Sequence, residues 1–104
     1  MTNQFSQKVY QIAKKIPPGK VATYGQLARL AGKPKAARAV GFLMKNNPDI
    51  KNIPCYKVVA SDGRLCGYSA SGGLKKKKQK LVSDGVVFKG NRVDLSRSRW
   101  DPAS

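Results

Sequence analysis

Lys and Arg number 21 in this chain and Asp and Glu only 5, a formal net charge of +16 spread over 104 residues. A chain so one-sided repels itself when it compacts, and a polyanion is the natural partner to relieve that repulsion. Whatever it folds into must do so around one modest core, because 104 residues at 40% hydrophobic content suit a single domain (1–104) and leave no room for a second. Nucleic acid is the first candidate partner and an anionic membrane surface the second. Residues 74–83 carry few bulky apolar anchors, so the membrane surface is set aside. No apolar run approaches the roughly 20 residues of a spanning helix. Nor does the start resemble a signal peptide. The expectation is a soluble monomer of the cytoplasm or nucleoid, or of the nucleus in a eukaryote.

Two scarcities narrow the chemistry. The chain has no His, which excludes imidazole general-base catalysis, Cys-His dyads and His-containing zinc sites. Its two cysteines, Cys55 and Cys66, are too few for a disulfide framework or a four-thiolate metal site. Two free thiols are expected, with a single disulfide between them as the alternative.

The first half reads as helices. Phe5, Val9, Ile12, Ala13 and Ile16 form one helical stripe, and Pro17-Pro18-Gly19 ends it. Thr23 followed by Gln26 is a capping-box start, Leu27, Leu30 and Ala31 supply a buried side, and Gly32 with Pro34 stops that helix. A third helix is predicted from Lys35 to about Lys45, with Ala36, Ala37, Val40, Leu43 and Met44 inward and Arg38 on another side. Two short helices across a tight Gly-Lys-Pro turn, on a strongly basic chain, look like a helix-turn-helix over about residues 23–46.

From Ile50 the texture changes. Tyr56 to Ala60 leans towards strand, Ser61-Asp62-Gly63 is a turn, and Arg64-Leu65 starts a return strand. Residues 67–73 form a Ser/Gly-rich loop with one aromatic, Tyr68. Leu74 to Val82 is predicted as a lysine-rich helix whose apolar contacts are Leu74, Leu81 and Val82. Val86-Val87-Phe88 and Arg92 to Leu95 suggest a small terminal hairpin. The fold class is α+β, mainly helical, with a winged helix-turn-helix-like core and a small β element.

Cys55 lies in the segment 53–59, just after Pro54, which restricts its backbone. A thiol becomes a good nucleophile as thiolate, starting from a pKa of about 8.5. Lys57 and the positive field of the chain are expected to favour that form. The local residues leave the alternative open that Cys55 is a small buried hydrophobe.

The wider string adds to this. Val-Ala-Thr-Tyr-Gly-Gln-Leu-Ala from Val21, Pro-Lys-Ala-Ala-Arg-Ala-Val-Gly from Pro34, Asn46-Asn47-Pro48, Ile53-Pro54-Cys55-Tyr56-Lys57-Val58-Val59 and Gly67-Tyr68-Ser69 follow in order. From roughly Phe5 to Trp100 the chain resembles the DNA-binding domain of the O6-alkylguanine-DNA alkyltransferases. The resemblance implies minor-groove binding of duplex DNA, flipping of a damaged guanine and irreversible, single-turnover transfer of its alkyl group to a cysteine, with no cofactor and no metal. It implies that Cys55 is the acceptor and that Tyr24 assists flipping and gives a proton to the departing guanine. By the same resemblance Arg38 fills the vacated stack, Asn47 supports the active-site turn, and Thr23, Lys35, Ala36 and Ala37 join Tyr24 and Arg38 on the DNA. Val58, through its carbonyl, and Gly67, Tyr68 and Ser69 hold the base.

The chain departs from the family where the acceptor is activated. Tyr56 stands for the family's His, Lys57 for its Arg and Asp84 for its Glu. With the imidazole gone the family's relay through Asp84 cannot operate, and Lys57 with DNA-induced positioning is left to favour the thiolate. The size of the chain and its closing run, Val93-Asp94-Leu95 through Arg99-Trp100, also resemble the alkyltransferase-like proteins. Those proteins lack the acceptor cysteine, bind alkylated guanine without repairing it and recruit nucleotide-excision repair. A basic helix-turn-helix protein in which Cys55 is incidental is the third reading. It predicts equal affinity for damaged and plain duplex.

Overall fold

The computed structural model describes residues 4–47, 49, 52–65 and 73–102. It begins with α1 (Gln4–Ala13), whose Phe5, Val9 and Ala13 recur every four residues and are buried. The helix stops at Ala13, before the end of the apolar stripe. Ile16 is still buried, reached by a tighter turn in which its N–H bonds the Ala13 carbonyl.

The helix-turn-helix follows. Strand β1 (Ala22–Thr23) runs directly into α2 (Tyr24–Leu30). The predicted capping box is formed: the Thr23 hydroxyl accepts from the Gln26 N–H, and the Gln26 side chain accepts from the Thr23 N–H. Gln26 also gives its side-chain amide to the Trp100 carbonyl, so the cap ties α2 to the end of the chain. Helix α3 (Ala37–Lys45) buries Val40 and Met44. It starts two residues later than predicted, because Lys33 to Ala36 close a turn of their own through the Ala36 N–H and the Lys33 carbonyl.

Strand pairing carries the chain from this pair to the cysteine. Strand β2 (Val58–Val59) lies parallel to β1, with Ala22 opposite Val58 and Thr23 opposite Val59. Beside it, the Val21 N–H donates to the Ser98 carbonyl and the Val21 carbonyl accepts from the Trp100 N–H, which brings in the C-terminal segment. The predicted strand from Tyr56 is shorter than expected. Cys55–Lys57 form a 3₁₀ turn instead, closed by the Lys57 N–H on the Pro54 carbonyl. Arg64 makes a single bridge to Arg92 rather than starting a return strand. Gly63 sits at φ +88°, and a Cβ there would strike the Val93 carbonyl, so this turn closes only on glycine.

Helix α4 (Gly73–Asp84) corrects the sequence reading. Leu74 and Val82 are 48% and 55% exposed, while Leu81 and Lys77 are buried. Leu81 is four residues from Lys77, so one face of the helix takes a leucine and a lysine inward. The terminal hairpin forms as β3 (Phe88–Lys89) and β4 (Arg92–Val93). An unpredicted short helix, α5 (Leu95–Ser98), follows it, capped by the Asp94 carboxylate on the Ser96 N–H. The buried side chains fall into two clusters. One lies under α1, α2 and α3 and includes Cys55; the other holds Val21, Val59, Leu81, Val86 and Val93. Tyr56 packs against both. Among the described residues, no helix is long and apolar enough to cross a membrane.

Candidate active site

Cys55 opens the 3₁₀ turn as a free thiol, only 3% exposed. Asn47 braces that turn from the end of α3. Its Nδ2 donates to the Ile53 carbonyl at 2.8 Å, and its Oδ1 accepts from the Asp49 N–H at 2.9 Å. The Cys55 N–H bonds the same Ile53 carbonyl at 2.8 Å. Asn47 and the acceptor candidate therefore share one carbonyl, and rotation of Asn47 would be felt at the thiol's backbone.

The next two residues meet on Asp84 at the end of α4. The Tyr56 hydroxyl donates to Asp84 Oδ2 at 3.1 Å, and Lys57 Nζ lies 3.9 Å from the same oxygen. Lys57 Nζ also donates to the Ile16 carbonyl at 3.2 Å. Lys57 and Lys80 lie 5.8 and 5.3 Å from the centroid of the Tyr56 ring. Lys57 thus links the turn after α1, the cysteine turn and α4. Three of the site's polar groups form one network in which the carboxylate is the common acceptor.

Two residues near the cysteine escaped the sequence reading. Tyr10 packs on the core cluster that contains Cys55 and donates its hydroxyl to the Leu43 carbonyl at 3.1 Å. Burial, and then the nearby Cys55 charge, raise its phenol above the usual value. Its signal was faint, an aromatic next to Val9 at the border of the α1 stripe. Lys77 is 1% exposed and gives Nζ to the Val58 carbonyl at 2.7 Å. It is one of four consecutive lysines, Lys75 to Lys78, and composition cannot say which of the four turns inward.

The candidate nucleic-acid face is assembled by the α2–α3 pair. Tyr24 opens α2 and its ring lies against Gly41, where a Cβ would come within 4.0 Å of two ring atoms. A shallow cavity of about 370 Å³ is walled by Tyr24, Gly25, Ala37, Arg38, Gly41, Ala60 and Ser61. This brings Tyr24, Ala37 and Arg38 together from the predicted set. Thr23 is committed to the cap, Lys35 is exposed in the turn, and Ala36 immediately precedes α3. Cys55 is not among the cavity walls; Gly25, Gly41, Ala60 and Ser61 enter unpredicted. Gly67, Tyr68, Ser69 and Cys66 lie outside the described residues. Among the described residues, no group of three His, Cys, Asp or Glu side chains is arranged to hold a metal ion.

The site and fold define a helix-turn-helix domain built around a buried cysteine. The family model for the 6-O-methylguanine DNA methyltransferase DNA-binding domain matches residues 4–86, and the chain belongs to that family. It is 41% identical over 101 residues to a DNA base-flipping protein of Escherichia coli, covering 95% of this chain and 76% of that protein. It is 46% identical over 93 residues to a bifunctional methyltransferase/endonuclease of Picrophilus torridus, covering 89% of this chain but only 30% of that one. The structure of S. pombe Atl1 in complex with damaged DNA containing O6-carboxymethylguanine superposes with a TM-score of 0.84 at 33% identity. That match covers 98% of this chain and 99% of the other.

Proposed function

We propose that this protein repairs duplex DNA by moving a methyl or small alkyl group from O6 of a flipped guanine to the sulfur of Cys55, once and irreversibly. The Cys55 thiol gives its proton to solvent, the thiolate attacks the alkyl carbon, a carbon–sulfur bond forms, the carbon–oxygen bond breaks, and the guanine leaves with a proton from Tyr24, which solvent then replaces. Such a substitution needs alignment and a stabilised leaving group rather than a cofactor. The observation that carries the reading is the cysteine itself, retained in a family of DNA methyltransferases, 3% exposed and braced by Asn47 through the Ile53 carbonyl. Burial of the thiol means that a stacked base cannot reach it. Flipping costs a few kcal/mol of unstacking, which Arg38 inserted in the stack offsets in part. The lysines and arginines supply phosphate attraction without regard to sequence, so binding falls steeply with salt. The protein would work as a monomer in the cytoplasm or nucleoid, or in the nucleus of a eukaryote.

The second reading is a lesion sensor that binds O6-alkylguanine and passes it to nucleotide-excision repair. It is favoured by the whole-chain match to Atl1 and by the Tyr56 hydroxyl, which is engaged with Asp84 at the place where the family has its imidazole. The deciding experiment is intact-protein mass after incubation with a duplex carrying one O6-methylguanine, beside Cys55→Ala. A gain of one methyl group that the variant lacks establishes transfer. No gain, with tighter binding to damaged than to plain duplex, makes the protein a sensor with a silent cysteine. Equal binding and no gain would leave only a basic helix-turn-helix protein.

A further inference from the structure

Phe42 is 67% exposed, the most exposed of the large hydrophobic side chains among the described residues. It lies on α3, whose opposite face buries Val40 and Met44, so nothing in the helix's own packing calls for an aromatic there. Arg38, Phe42 and Lys45 are spaced by four and three residues and share one helix face. Gly41 on the flank of that face meets the Tyr24 ring, and Tyr24 and Arg38 are walls of the same cavity. A continuous strip therefore runs from Tyr24 across Arg38 to Phe42 and Lys45. Helix α3 itself has no Asp or Glu.

An aromatic ring set between two cations fits a partner that offers a flat or apolar surface between anions. Nucleic acid does this at every step, with bases and deoxyribose between phosphates. A second copy of this chain would bring Arg38 and Lys45 against the same charges. We propose that Phe42 is a duplex-DNA contact that packs on a base or sugar beside the Arg38 insertion point and helps to hold the duplex open. The inference rests on the reading of α2–α3 as the DNA face. It adds a side chain that contributes affinity and unstacking by stacking rather than by charge. Side chains wedged at a base step in this way unstack and kink the duplex.

The test uses fluorescence anisotropy with labelled plain and O6-methylguanine duplexes, and 2-aminopurine beside the lesion to report unstacking. Phe42→Ala should weaken binding to both duplexes about tenfold, the lower range of what a stacking contact contributes. Its 2-aminopurine signal should fall, while the salt dependence keeps its slope because no charge is lost. Phe42→Tyr should restore both. Lys45→Ala should instead lower the salt slope by about one. Unchanged affinity and unchanged 2-aminopurine signal in Phe42→Ala would overturn the inference. So would loss of self-association in sedimentation with DNA binding intact, which would assign Phe42 to a contact between copies. Equal binding of plain and damaged duplex by the unmodified protein would defeat the alkylguanine reading alone, since a Phe42 contact weakens both duplexes.

Discussion

Replacing Lys77 with methionine removes the ammonium from the Val58 carbonyl, 2.7 Å away, and keeps an unbranched side chain of similar length in a fully buried site. Two terms oppose each other. A hydrogen bond from a charged donor contributes about 1.5–3 kcal/mol. The desolvation of a buried ammonium works the other way, and exchanging whole buried ion pairs for apolar side chains is often neutral. Here only one partner is exchanged. The Val58 carbonyl remains in the core and loses a charged donor, so the bond term should win by about 1–2 kcal/mol. At roughly 4–8 °C per kcal/mol for a domain of this size, the melting midpoint should fall by about 5–15 °C in thermal denaturation followed by circular dichroism. Val58 follows the Cys55–Lys57 turn directly. Loosening it should therefore slow methyl gain by Cys55 more than it weakens plain-duplex binding. A midpoint unchanged or raised in Lys77→Met would refute the view that this bond holds α4 to the cysteine turn.

Tyr56→His should accelerate methyl gain in intact-mass time courses if the missing imidazole limits transfer, and an unchanged rate would sink that account. Arg38→Ala should reduce the 2-aminopurine signal of a damaged duplex more than it reduces plain-duplex affinity; equal losses would make Arg38 an ordinary phosphate contact. Asp94 is held below its usual value of 3.8, first by the Ser96 hydroxyl and then by the Ser96 N–H and the charges of Arg97 and Lys89, against some desolvation. A depressed carboxylate stabilises the fold above its unfolded value and loses that contribution as pH falls through the folded one. Melting curves should therefore show Asp94→Asn less stable than the parent near neutral pH, with the gap closing below about pH 4. A gap that stays constant in acid would count against the carboxylate cap on α5.

Local rules were enough for the parts of this protein that local interactions stabilise. The stripe Phe5-Val9-Ala13 makes a helix wherever the chain goes, and Thr23 with Gln26 caps the next one within four residues of sequence. The Asn46-Asn47-Pro48 stop and the turn before β4 are legible for the same reason. The resemblance located Cys55, Tyr24 and Arg38 by their order along the chain. It could not say that Tyr24, Arg38 and Ser61 wall one cavity that leaves Cys55 out, since no periodicity relates α2 to the end of β2.

The amino-acid sequence by itself determined the helix-turn-helix, the basic character that calls for a polyanion, and the place of the cysteine. Tertiary structure alone decided which lysine of Lys75 to Lys78 turns inward, because helix periodicity shows which positions share a face but not which face meets the core. It also decided that Tyr56 and Lys57 converge on Asp84, 28 and 27 residues away, across the contact between the cysteine turn and α4. Short-range propensity and capping act through neighbours on the chain. A carboxylate shared by a phenol and an ammonium exists only after the two segments have packed together.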